Sequence, residues 1–102
     1  MHQTMVAACE EMKLADWKHL RPMVAAELQS LILMIKWLKE MQQEQQINVS
    51  EARIHLEIQK STLRTRLMAL PQLSILQVDE LLNKAIDAVR KDIYEYLGWV
   101  VM

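Results

Sequence analysis

Between Gln59 and Leu70 the chain carries three cations, Lys60, Arg64 and Arg66, and no anion. Among them stand Gln59, Ser61, Thr62 and Thr65, whose amide and hydroxyl groups can bond phosphate oxygens or base edges. An arginine can address guanine through two parallel donors, while lysine and hydroxyl groups hold the phosphate backbone. The chemistry these seven residues could perform together is recognition of double-stranded DNA. The positive charge is local, because the whole chain has a formal net charge of -1. The same residues would also suit the solvated face of an ordinary helix.

The stretch from Asn48 to Leu70 must position them. Ser50 is a suitable N-cap, and Glu51 in the first turn complements the positive end of a helix. Ala52, Ile54, Leu56 and Ile58 supply apolar contacts, and Leu63, Leu67 and Leu70 continue at spacings of four and three. The step of five from Ile58 to Leu63 leaves the face of one straight helix. Ser61 and Thr62, at that step, are types favoured where helices begin. The pattern therefore predicts a short helix from about Glu51 to Leu56, a turn around Glu57 to Lys60, and a second helix from about Thr62 to Leu70, stopped by Pro71. That is a helix-turn-helix over about residues 50–70.

The string EARIHLEIQKSTLRTRL resembles the helix-turn-helix of the factor for inversion stimulation (Fis) family and of the similar C-terminal domains of NtrC-type activators. Ala52, Leu56, Ile58, Thr62, Leu63, Arg64, Arg66 and Leu67 fall on the family pattern, with Arg53 where a small Ala is usual and Glu57 where the turn Gly is usual. The resemblance covers roughly the middle quarter of the chain. It implies a long helix before the motif and a DNA-binding role for the second motif helix.

The remaining elements follow from composition and periodicity. A chain of 102 residues is one domain, and 52% hydrophobic residues argue against disorder. One Gly and two Pro leave little turn chemistry for hairpins, so the expected class is all-α, a bundle of four to five helices. Thr4 to about Leu14 reads as a first helix with Met5, Val6, Cys9 and Met12 on one face. Residues Asp16 to Leu20 read as a connection, with Pro22 at the first position of a long central helix over about residues 22–45. There Val24, Leu28, Leu31, Ile35 and Leu38 form a heptad-like seam, widened by Ile32, Leu33, Met34, Trp37 and Met41. A small domain rarely buries both faces of such a helix. Leu31, Met34, Ile35, Trp37, Leu38 and Met41 are accordingly the expected interface of a homodimer, against the alternative of a central helix wrapped by its own chain.

After Pro71, Ser74 and Gln77 can form a capping box for an amphipathic helix over about residues 75–97. Its apolar stripe runs through Val78, Leu81, Leu82, Ala85, Ile86, Val89, Ile93 and Leu97, and Gly98 stands where a left-handed C-cap is wanted. Trp99 to Met102 are apolar enough to be expected on the core or on a partner chain.

Function classes narrow accordingly. No glycine-rich loop exists to cradle phosphate, and Cys9, His2, His19 and His55 lack a close metal-ligand spacing. No nucleophile with a positioned base is legible, so neither an enzyme nor a cofactor or metal site is expected. The single Cys9 and the lack of a signal-peptide pattern suggest a cytoplasmic setting. The apolar run of the central helix, broken by Lys36, is too short to span a bilayer. The first expectation is a homodimeric helix-turn-helix regulator of bacterial or phage type, reading half-sites about 34 Å apart. The alternative is a helical module that binds another protein, which eight methionines and the near-neutral charge favour. The feature that separates them is the surroundings of Lys60 to Arg66: open and positive for DNA, covered by acidic side chains of the last helix for a protein partner.

Overall fold

In the computed structural model, which describes residues 1–102, four α-helices follow one another without a strand: α1 His2–Glu10, α2 Trp17–Gln43, α3 Val49–Met68 and α4 Ile75–Leu97. The all-α expectation holds, with four helices. α1 packs on α4 and α2, α2 packs on α3, and α3 closes against α4. The result is an elongated bundle of 44 × 22 × 19 Å. Its core consists of 24 buried residues, all of them apolar.

The central correction concerns α3. Residues Glu57 to Lys60, expected to turn, are helical, and α3 runs unbroken for 20 residues. Its buried set is Ala52, Leu56, Leu63 and Leu67, at spacings of four, seven and four, which one straight helix satisfies. Ile54 and Ile58 are not part of that set, since each is 59% exposed. The step of five from Ile58 to Leu63 therefore compares residues on two different faces. Thr62 and Thr65 do not cap a second helix either. Their hydroxyls donate to the carbonyls four residues back, Thr62 Oγ1 to Ile58 at 3.0 Å and Thr65 Oγ1 to Ser61 at 3.1 Å. Glu57 stands where a turn would want glycine, and Leu56, Glu57, Gln59 and Lys60 are good helix formers. The N-cap is Asn48 rather than Ser50. Its side chain accepts from the Glu51 amide at 2.8 Å while Glu51 accepts from the Asn48 amide at 3.1 Å, a full capping box.

α1 and α2 also differ from expectation at their junction. α1 ends at Glu10, and Lys13 and Asp16 take left-handed backbone angles, φ 52° and 61°, so the chain reverses within six residues. α2 starts at Trp17, which places Pro22 inside the helix rather than at its start. Proline there removes the amide that would bond the Lys18 carbonyl, and Lys18 is exposed, so water can take that bond. α2 ends at Gln43, two residues before the expected Gln45.

α4 matches its reading closely. Ser74 and Gln77 form the capping box, all eight stripe residues are buried, and Gly98 adopts φ 72° as the C-cap. Beyond it Val101 is buried and Trp99 and Met102 are half-buried. Arg53 on α3 donates to the Val100 carbonyl at 3.0 Å, and the Tyr94 hydroxyl donates to the Met102 carbonyl. The apolar tail docks on its own chain. No helix is long and apolar enough to cross a membrane.

Candidate interaction surface

Because α3 is one helix, the seven candidate residues are spread around its circumference instead of converging on one exposed edge. Gln59 turns toward α2, where its amide donates to Ser30 Oγ at 3.0 Å. Arg64 turns toward α4, where its guanidinium forks onto Asp79, Nε to Oδ1 at 2.6 Å and Nη2 to Oδ2 at 3.4 Å. Arg66 reaches α2, with Nη1 3.5 Å from Glu27 Oε2. Lys60 is half-buried on the α4 side, close enough for its charge to act on Asp79. Ser61, Thr62 and Thr65 lie on the outer side, the two threonines bonded to their own helix.

The electrostatics follow from these pairs. The hydrogen bond from Arg64, aided by its charge and that of Lys60, holds the Asp79 carboxyl below its usual value against a smaller opposing effect of desolvation. The same bond and the Asp79 charge push Arg64 further up. Both groups are close to half exposed, so the pair fixes geometry more than it stabilises the fold. Within this surface Arg64 pairs with Asp79 and Arg66 with Glu27, while Lys60 acts on Asp79 through its charge. Both arginines of the positive patch legible in the sequence thus have a carboxylate partner from α2 or α4.

The apolar residues expected at a dimer interface also separate. Leu31, Ile35 and Leu38 are fully buried in the protomer's own core, because α2 is covered on that side by α1, α3 and α4. They are corrected from interface to core. Met34 and Met41 are half-buried, and Trp37 remains 39% exposed. What α2 turns outward is Leu33, 57% exposed, one turn before Trp37. The Trp37 indole meets the His55 ring of α3 edge to face, centroids 5.1 Å apart at 75°. Next to His55 on α3, Ile54 and Ile58 stand in the open one turn apart. An open hollow follows along the same helix, lined by Ile58, Ser61, Thr62 and Thr65 between Glu57 and Arg66.

Sequence reasoning missed Ile54 and Ile58 as surface residues. The signal was present: both are out of phase with Ala52, Leu56, Leu63 and Leu67, which share one face at helical spacing. No three of the His, Cys, Asp and Glu side chains gather into a group that could hold a metal ion. Cys9 is buried in the core and burial, aided by the Glu10 charge, pushes its thiol up to about 11.

A family model described as a protein of unknown function (DUF2664) matches residues 20–92. This overturns the Fis-like reading, in keeping with the absence of a turn in α3. No curated protein and no solved structure matches the chain.

Proposed function

The chain belongs to the DUF2664 family, and from its own surface we propose that it is a helical protein-interaction module that works through the outer side of α3 and the adjoining edge of α2, without binding DNA. The observation that carries this reading is the pairing of the candidate cations. Arg64 is forked onto Asp79 of α4 and Arg66 reaches Glu27 of α2, so each arginine already has a carboxylate partner for which a phosphate must compete. Affinity for DNA rests mainly on cations that neutralise phosphates and release counterions, and a surface with balanced charges has little to offer there. The apolar side chains support the same reading. Leu33 and Trp37 on α2 and Ile54 and Ile58 on α3 are exposed on helices packed against each other, and such apolar side chains suit a surface completed by another protein. Trp and Ile anchors within a polar rim are the usual form of such a contact.

The test is titration of a labelled random-sequence duplex with the purified chain at about 50 mM salt, where phosphate contacts are strongest. The expected result is no anisotropy change at tens of micromolar protein. Micromolar binding that is lost in Arg64→Ala would overturn the proposal and restore DNA as the partner.

A further inference from the structure

We propose that the outer side of α3 docks on the same helix of a second copy, in an antiparallel, two-fold symmetric pair centred near Lys60. This rests on the protein-interaction reading and names the partner.

The two halves of the exposed side of α3 differ in shape and are mutually complementary. In the N-terminal half Ile54 and Ile58 project, each 59% exposed. Beyond Ile58, which forms one wall, the short side chains of Ser61, Thr62 and Thr65 leave the open hollow toward the C-terminal half. Antiparallel pairing about a point near residue 60 sets residue i of one helix opposite a residue close to 120 minus i of the other, so Ile58 meets Ser61 and Thr62, and Ile54 meets Thr65. Each projecting isoleucine thus enters the hollow of the opposite copy, and one two-fold axis makes both contacts at once.

Charge selects the same arrangement. Glu57 forms no ion pair within its own chain, although every arginine of the α3 C-terminal half does. Glu57 and Arg64 lie on the same flank of α3, toward α4. In the antiparallel pair Glu57 of one copy comes opposite Arg64 of the other, twice. A parallel pair would instead set isoleucine on isoleucine and hollow on hollow, and would leave Glu57 and Arg64 on opposite sides of the seam from their copies, so that they do not meet. The partner that fits this face is therefore a second copy in the antiparallel sense.

The experiment is sedimentation equilibrium of the full chain and of two variants at exposed positions, Ile58→Glu and Ser61→Arg, with far-UV circular dichroism confirming that both keep their helices. The wild type is expected to be a dimer at tens of micromolar. Each variant should weaken it by at least about a hundredfold, because every substitution enters the interface twice and replaces an apolar contact or a fitted hollow with a charge. Spin labels on Ser50→Cys and Ala69→Cys, both exposed and outside the proposed contacts, then read the sense of pairing, Cys9 being buried out of their reach. At 1.5 Å rise per residue the labels should be about 30 Å apart at position 50 and about 27 Å apart at position 69. A monomeric wild type, or a dimer indifferent to both variants, overturns the proposal. So do short label distances at both positions, which mean parallel pairing. DNA binding in the anisotropy titration would instead overturn the reading beneath it, whatever the oligomeric state.

Discussion

Ser61→Pro separates one continuous α3 from two helices joined by a turn. In the continuous helix Ser61 is the thirteenth of 20 residues, exposed, its side chain engaged with no other element. A proline there deletes the amide bond to the Glu57 carbonyl and drives its ring into that same carbonyl, at a cost of about 3 kcal/mol or more. The loss of the serine side chain itself contributes almost nothing. In a helix-turn-helix, position 61 would lie just before the second helix, which starts at about Thr62, and proline there would cost no helical amide bond. The two accounts therefore differ by about 3 kcal/mol at one surface position, against a total stability of roughly 5–15 kcal/mol for a domain. Urea unfolding followed by circular dichroism reads this directly. With a slope of about 1–1.5 kcal/mol per molar, the midpoint should fall by about 2–3 M or the chain should be unfolded from the outset. A Ser61→Ala control should stay within about 0.5 kcal/mol of wild type. A proline variant as stable as that control would refute the continuous helix.

Other consequences of the fold are open to the same instruments. Gly98 holds φ 72° with open space where a Cβ would stand, so Gly98→Ala should cost about 1–2 kcal/mol from backbone strain alone, seen as a lower urea midpoint. The Asp79 carboxyl is held below its ordinary value by Arg64, so its contribution to stability is present above the unfolded carboxyl value and is lost as pH falls through the lower folded one. Asp79→Asn should therefore flatten the stability profile in the acid range below about pH 4 and leave its shape at neutral pH unchanged; an unaltered acid slope would contradict the Arg64 pairing. Cys9, buried with its thiol pushed up to about 11, should resist an aromatic disulfide reagent at pH 8 until denaturant is added, and rapid reaction in the native protein would contradict its place in the core.

The parts of the fold legible in the sequence are those where one signal had one meaning. α4 is the clearest case, since Ser74 and Gln77 mark its start, eight apolar residues keep a single face, and Gly98 supplies the left-handed end. α3 was ambiguous because Ile54 and Ile58 are as apolar as Leu56 and Leu63 but stand in water. Counting all of them as core produced a break that the backbone does not have. In α2 the seam through Leu31, Ile35 and Leu38 was correctly apolar. Which surface it met depended on how completely α1, α3 and α4 wrap it, and that is a property of the assembled bundle. The charge pattern was misleading for the same reason. Lys60, Arg64 and Arg66 lack anions in their own segment, while Asp79 and Glu27, which pair with the two arginines, are 15 and 39 residues away in sequence. Local preference favours Pro22 at a helix start, yet α2 extends five residues ahead of it because Leu20 is a core residue and the Lys18 carbonyl can be solvated.

The most direct measurement on the central claim is the affinity of the chain for random-sequence duplex DNA as salt is raised from about 50 to 200 mM. A surface whose two arginines are paired with Asp79 and Glu27 predicts no measurable binding at any point in that range. Micromolar affinity at the low end that falls by orders of magnitude at the high end would mean that several cations of α3 reach phosphate after all, and would contradict the assignment of this face to a protein partner.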